Sequence, residues 1–300
     1  MPWPRGGQMS SRPSGGRVPA SRKTASHRSS RSCSSVTERQ DARAVRILAH
    51  RGLAVDADEN SIRAFRAAGD VGTRWIETDV HTTSDGVVVA IHDPDIERVA
   101  GKPGDVATTD ASDLAALRMV GGEAIPTMAS VFEACPDLCF NIDIKDEASV
   151  LALPRVIDRA EAWDRVLIAS FSESRRRRAM RHAPDGVPSS AGYGGIAAFR
   201  LVSALMPVKA CVRVWPVVRR ALRPWIAAFQ AMQVPMSHKV GPFRVPVADR
   251  RFIRAAHACG MRVDVWTVDD PRDMERLVGL DVDGIVTNRP DLAFAVLDRL

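Results

Sequence analysis

From Val45 to the C-terminus, short runs of apolar β-forming residues alternate with helix-like segments, and this alternation limits the fold more than any other feature. The strand-like runs fall at 45–49, 74–79, 87–91, 139–144, 165–170, 188–192, 231–235, 262–267 and 283–287. The segments between them carry helix punctuation. Asp249 opens one that Gly260 ends, Asp270-Pro271 opens one that Gly279 ends, and Asn288 with Pro290 opens the last. Such alternation predicts a parallel sheet, and the length favours a (β/α)8 TIM barrel. Nine runs are one too many for it. The seven residues between Asp79 and Val87 are too few for a crossover helix, which takes about a dozen. Asp85-Gly86 instead signals a two-residue hairpin turn. That turn sets Ser84 opposite Val87 and, counting outward, Asp79 opposite His92. Eight barrel strands then remain, with a small insertion of about residues 80–124 after the second.

A chain of 300 residues with 45% hydrophobic content can bury a sizeable core. Its formal charge of +6 sits in residues 1–42, where eight Lys and Arg face only Glu38 and Asp41. That segment is Ser-, Arg-, Gly- and Pro-rich and nearly devoid of large aliphatic side chains, so burial cannot offset its ordering entropy. It is expected to be a disordered tail, or a stretch upstream of the native start, with a nucleic-acid or membrane tether as the lesser reading. The folded domain is expected over 43–300. The tail lacks the apolar core of a secretory signal. No uncharged run reaches 18 residues, so no transmembrane helix is expected. Five cysteines, odd in number and without metal-ligand spacing, point to a reducing, cytoplasmic setting. Cys135 and Cys139 are expected to pack as small hydrophobes.

Polar clusters close several of the strand runs. His50-Arg51 follows the first, Glu77 and Asp79 end the second, and His92 ends the third. Side chains at the carboxyl ends of parallel strands line the active site of an α/β protein. Glu77 and Asp79, spaced i, i+2, point to one face of their strand. Asp143 and Lys145 share a face of the next barrel strand in the same way. Carboxylates held together repel unless a cation or proton lies between them. A hard divalent ion, Mg²⁺ or Ca²⁺, suits three such groups. A solvated strand end is the plainer alternative for any one of them.

The ordered series resembles the glycerophosphodiester phosphodiesterase family. It comprises His50-Arg51-Gly52, Glu59-Asn60-Ser61, Ile76 to Val80, Asp85 to Pro94, Ile125 to Met128, Asn141 to Lys145, Ala169-Ser170-Phe171, Val265 to Val268 and Asp283 to Asp291. Single motifs are weak, but the series spans roughly residues 46–292 in order. The resemblance implies a TIM barrel that hydrolyses glycerophosphodiesters to glycerol 3-phosphate and an alcohol with a divalent metal. It implies catalytic roles for His50 and His92, metal ligation by Glu77, Asp79 and Asp143, and phosphate contacts from Arg51 and Lys145. Glu59 is expected behind the site, orienting Arg51 or the metal, and Trp266 against the glycerol backbone or in barrel-top packing. The implied partner is a small diester and not a nucleic acid. Three positions depart from the family pattern: Asp143 stands where Glu is usual, Asp58 where Pro is common, and Asn288 where Asp is common. His81 and His182 fall outside the matched set and read as an outward hairpin residue and a helix C-terminal charge. The rival readings are a barrel phosphodiesterase acting on intact membrane phospholipids and a non-catalytic phosphodiester-binding barrel.

One asymmetry remains. Between Asp185 and Asp249 there is no acid but there are eight bases, while apolar residues crowd 195–230. The plain reading is a connecting helix with snorkelling arginines. The sharper one is a peripheral contact with anionic membrane through residues 195–230.

Overall fold

The computed structural model describes residues 45–241 and 243–300. Residues 1–42 therefore lie outside the described part, and the expectation for them stays as stated. Ten strands are described: β1 (Arg46–His50), β2 (Trp75–Thr82), β3 (Val88–Ala90), β4 (Cys139–Ile144), β5 (Val166–Ala169), β6 (Ala231–Pro235), β7 (Ser237–Val240), β8 (Phe243–Pro246), β9 (Arg262–Trp266) and β10 (Gly284–Thr287). Seven of them pair in parallel in the order β5-β4-β2-β1-β10-β9-β6.

The ring closes through the run expected at 188–192. It is no regular strand, but Ser189 bridges Ile168 of β5 and Ser190 bridges Ala231 of β6, both in parallel. Pro188 has no N–H to give to a ladder, so the stave is held by single bridges. The fold is a (β/α)8 barrel.

Alternation along the strands separates two cores. Leu48, Trp75, Cys139, Leu167, Ala169, Ala231 and Val286 fill the barrel interior. Residues of opposite parity pack outward against the helices, as Phe140 does against Phe65 and Phe132. Each fully buried phenylalanine of this kind contributes roughly 1.5–3 kcal/mol relative to exposure. At the base of the barrel, Arg46 pairs with Asp264 at 3.0 Å, and its guanidinium lies 4.4 Å from the Trp75 ring centre. Gly284 makes room for this pair, since a Cβ there would lie 2.2 Å from Asp264 Oδ1.

The helix punctuation is read out in hydrogen bonds. Asp249 accepts from Phe252 N and Asp270 from Arg272 N, opening helices Arg250–Ala258 and Pro271–Gly279. The last helix, Pro290–Leu297, corrects the expectation: Asn288 does not cap it, and its N-cap residue is Arg289. Asn288 is engaged elsewhere, in the site described below.

The hairpin forms, but with its register one residue away from the expected one. Thr82 pairs with Val88 and Val80 with Ala90, so Asp79 stands opposite Ile91 and not His92. The loop has three residues, Ser84-Asp85-Gly86, with Gly86 at φ +85°. Thr83 seals it: its hydroxyl donates to Asp85, and Val87 N donates to Thr83 Oγ1. A three-residue loop with its last residue left-handed competes with the two-residue turn, and the Thr83 side chain tips the balance. Beyond β3, short helical turns enclose a small core of their own, including Val89, Ile96, Val106 and Leu114. Asp58, at the proline-like position, ties this insertion to the loop after β1 by accepting from Gly121 N and Glu123 N.

A second hairpin, β7–β8, was not anticipated; no turn signal of the Asn-Gly or Asp-Gly kind marks it. Residues 193–222 form two helices, Tyr193–Leu205 and Val208–Leu222, in place of a single connecting helix. Cys135 and Cys139 are both buried, and His182 is exposed just past the helix Glu173–Ala179.

Candidate active site

The carboxyl ends of the barrel strands surround one cavity, lined by His50, Arg51, Glu77, Asp79, His92, Asn141, Asp143, Lys145, Phe171 and Trp266 among others. Of the residues expected in the site, His50, Arg51, Glu77, Asp79, His92, Asp143, Lys145 and Trp266 line this cavity, and Glu59 stands one step behind Arg51.

The loop after β1 explains why the first motif reads His50-Arg51-Gly52. Arg51 is left-handed at φ +57°, and Gly52 follows at φ +88°. A Cβ on Gly52 would lie 2.7 Å from the Ala64 carbonyl carbon, so the turn presses on helix Ile62–Asp70. Asn60, also left-handed, donates its N–H to Arg51 O and accepts at its side chain from Thr78. Ser61 caps the helix through Ala64 N. Strained non-glycine residues of this kind persist where the surroundings over-determine them. The result is that Arg51 Nε stands 3.0 Å from Asp79 Oδ2, outside hydrogen-bond alignment, while its NH1 donates to Glu59 at 3.1 Å.

Neighbouring registers on β2 and β4 juxtapose the other charges: Glu77 faces Asn141 and Asp79 faces Asp143. Lys145 Nζ bridges Asp79 Oδ1 at 2.9 Å and Asp143 Oδ2 at 2.8 Å. Burial opposes the charge on Lys145, but the two carboxylates outweigh it and raise its pKa. Burial, with Asp79 and Asp143 close by, pushes Glu77 well above the ordinary carboxylate range. Burial also raises Asp143, against the pull of Lys145.

Glu77 Oε2, Asp143 Oδ1 and Asn141 Oδ1 are buried without a hydrogen-bond partner. Among the described residues no three His, Cys, Asp or Glu side chains converge into a finished coordination sphere. Unpartnered buried carboxylate and amide oxygens are nevertheless the donor type that a hard cation takes, so these residues fit one by their chemistry. Electrostatics agree with this fit. Arg51 and Lys145 share the cavity with three carboxylates whose mutual repulsion adds to burial in raising Glu77, and a divalent charge would relieve that repulsion.

The two histidines are held differently. His50 Nδ1 lies 2.7 Å from Asn288 Oδ1. Asn288 Nδ2 donates to Asp269, as does Asn288 N, so the amide oxygen is the end turned to the imidazole. His50 therefore carries its proton on Nδ1, leaving Nε2 to the cavity, 3.8 Å from Glu77 Oε2. Burial lowers the His50 pKa, with the Asn288 hydrogen bond acting against it. His92 Nδ1 lies 2.7 Å from Asp93 Oδ1. Burial would raise Asp93, but hydrogen bonds from Arg98 and His92 hold it below its ordinary value. Arg98, in the insertion, also donates to Glu59, so one guanidinium links the supports of His92 and Arg51.

Three features escaped the sequence reading. His81 is not outward: it is buried, with Nε2 3.1 Å from the His92 carbonyl oxygen and Nδ1 3.4 Å from Asp146 Oδ2. Burial would raise Asp146, yet hydrogen bonds from His81 and from the Ser149 and Thr82 amides bring it down to about 2. Arg98 gave no signal, since its role depends on the fold of the insertion. Tyr193 likewise gave no signal: it stacks at 4.9 Å on Phe171, which lines the cavity and meets Trp266 edge-on at 5.6 Å.

Known proteins resemble this chain in sequence and in fold. Residues 50–292 fit the sequence model of the glycerophosphoryl diester phosphodiesterase family. The chain belongs to that family. A protein of Mycobacterium tuberculosis named "Probable glycerophosphodiester phosphodiesterase 2" is 39% identical over 251 residues, covering 83% of this chain and 89% of its own. The glycerophosphodiester phosphodiesterase of Caldanaerobacter subterraneus is 27% identical over 82% of this chain and 94% of its own. Among solved structures, the Agrobacterium tumefaciens glycerophosphodiester phosphodiesterase superposes with a TM-score of 0.67 at 22% identity, covering 85% of this chain and all of that one. An Oleispira antarctica phosphodiesterase, solved with the product sn-glycerol-3-phosphate, gives 0.66 at 19% identity, covering 84% of this chain and 96% of that one. The two structures share the barrel with this member of the family.

Proposed function

We propose that the chain hydrolyses glycerophosphodiesters to glycerol 3-phosphate and an alcohol, using His50 and His92 as the proton-transfer pair. The observation that carries this reading is the cavity itself: two imidazoles, each with its Nδ1 engaged from behind, beside Arg51, Lys145 and three buried carboxylates. The names of the relatives and the product bound to the Oleispira protein support the substrate class.

Glu77, Asp79 and Asp143, with Asn141 beside them, would hold a divalent cation, Mg²⁺ or Ca²⁺. When bound, that ion supplies charge to the phosphoryl oxygens. Asp143 is one methylene shorter than glutamate, which makes a water in the coordination sphere the natural filler. Arg51 and Lys145 donate to the equatorial phosphoryl oxygens, where charge grows in the transition state. His50, its pKa lowered by burial, takes at Nε2 the proton of the attacker, either water or the glycerol 2-hydroxyl. The latter gives a cyclic phosphate that water then opens to glycerol 3-phosphate. His92, oriented by Asp93, gives a proton to the leaving alkoxide. Phe171 and Trp266 offer apolar surface to the glycerol carbons.

The test is a panel of glycerophosphodiesters crossed with Mg²⁺, Ca²⁺ and Mn²⁺, with EDTA as the control. Glycerol 3-phosphate is expected from glycerophosphocholine, with loss in EDTA and recovery on adding metal. His50→Ala and His92→Ala are each expected to lower kcat by about 10²–10⁴. Unchanged turnover in either variant would overturn the two-histidine mechanism, and attack on diacyl phospholipid in place of the soluble diester would favour the phospholipase reading.

A further inference from the structure

The acid-free stretch lies outside the chemistry of the cavity, and the fold gives it a definite surface. Helices Tyr193–Leu205 and Val208–Leu222 bury their inner faces through Phe199, Cys211 and Trp215. Their outer faces are unusual. Of the thirteen large hydrophobic side chains exposed among the described residues, seven lie between 193 and 225, with Val217 and Trp225 each 67% exposed. Exposed apolar residues scattered singly need no explanation, but a concentration marks an interaction surface.

Bases are interleaved with them. Lys209, Arg213, Arg219, Arg220 and Arg223 are all exposed, and none makes an ion pair among the described residues. Arg220 and Arg223 share a groove with Arg177 and Arg181, bordered by a single acid, Asp185. Arg177 donates to the Pro224 carbonyl oxygen, which fixes the segment before Trp225 against the helix Glu173–Ala179. The first of the two helices begins next to the cavity lining. Tyr193 stacks on Phe171 of that lining, and a Cβ on Gly194 would lie 3.7 Å from Ile226.

We propose that this side of the barrel docks on a bilayer surface bearing anionic phospholipid headgroups. Guanidinium groups without internal partners match headgroup phosphates. Val217, one helical turn before Arg220, and Trp225, two residues after Arg223, supply the apolar contact that an amphipathic interfacial element needs, and Trp favours the interface because it has one apolar body and one polar edge. A protein partner would demand acids facing these arginines across a shaped interface; a fluid anionic surface demands only the charge and the apolar ridge that are present.

The experiment is co-sedimentation of the full chain with vesicles of phosphatidylcholine alone, or of phosphatidylcholine with phosphatidylglycerol, at low and high salt. Binding is expected only with phosphatidylglycerol and is expected to weaken as salt rises. In the variant Arg219→Gln, Arg220→Gln, Arg223→Gln, partitioning is expected to fall about fivefold per arginine. Trp225→Ala is expected to lower it further. Unchanged thermal unfolding midpoints show that the variants are folded, a readout independent of whether the chain hydrolyses any diester. Absence of binding overturns the proposal. So does equal binding by the triple variant, which would assign the contact to the basic residues 1–42, and so does a dimer that Trp225→Ala dissolves, which would show that a second copy covers the face.

Discussion

The nitrogen that His50 turns to the cavity is decided by Asn288, 238 positions away in the sequence. Asp269 holds the amide of Asn288, and the amide oxygen in turn holds the proton of His50 on Nδ1. Asn288→Ala releases the ring to rotate or change tautomer. Loss of such an outer support typically costs 10–100-fold, so kcat is expected to fall by about that factor with KM little changed. Asn288→Asp keeps an acceptor for His50 but turns a carboxylate toward Asp269, so it is expected to recover only part of the rate. A steady-state comparison of the two variants checks this, and equal kcat for both would remove the orienting role. In sequence, Asn288 reads as a helix opener because Pro290 follows so closely. Only the pairing of β1 with β10 shows that its side chain lies beside His50. His81 was misplaced for a different reason: it was taken as part of the hairpin, although at i+2 from Asp79 on β2 strand parity alone puts it on the face of Glu77 and Asp79. By contrast, Glu77, Asp79, Asp143 and Lys145 were legible as a group, because i, i+2 spacing on a strand fixes a shared face without tertiary information.

Elements show the same division between local and distant information. The alternation of strand and helix, and the caps at Asp249 and Asp270, are local features that decided seven barrel strands. The eighth survives only as bridges at Ser189 and Ser190, and the hairpin loop has three residues because of the Thr83 hydroxyl; neither follows from composition. Two of the left-handed glycines separate conformational strain from crowding. Gly86, at φ +85°, has open space where a Cβ would go, whereas at Gly52, φ +88°, a Cβ would meet Ala64 backbone at 2.7 Å. Gly86→Ala is expected to cost about 1 kcal/mol, the left-handed penalty alone. Gly52→Ala adds displacement of helix Ile62–Asp70 and is expected to cost about 3 kcal/mol or more, with loss of activity as Arg51 shifts. Urea unfolding of the two variants gives the comparison. Similar midpoints would mean that the turn at Gly52 yields easily and that the helix does not fix Arg51.

At the scale of the whole molecule, the barrel keeps chemistry at the carboxyl ends of its strands and uses the opposite end for stability. His257 illustrates the second role. It ends the helix Arg250–Ala258, and its Nε2 lies 2.8 Å from Asp283 Oδ2, just before β10, with Asp281 and Arg262 as the other charges that act on it. Asp283 Oδ2 also accepts from Val263 N, so the pair pins the start of β9. The hydrogen bond from Asp283 raises the His257 pKa despite burial. Burial would raise Asp283, but hydrogen bonds from His257 and Val263 N lower it. A raised histidine contributes stability that is fully present below its unfolded value, about 6.5, and is lost as pH rises through the folded one. A lowered aspartate contributes stability present above its unfolded value, about 3.9, and lost as pH falls through the folded one. Both contributions are therefore present between about pH 4 and pH 6.5. His257 is partly exposed, so the effect is a modest one, screened by solvent. The gap in Tm between the native chain and His257→Gln is expected to be widest in that window and to narrow toward pH 9. Because the pair lies away from the mouth, kcat at pH 7 is expected to be the same in both. A gap in Tm that stays constant from pH 5 to pH 9 would show that His257 acts there by packing alone.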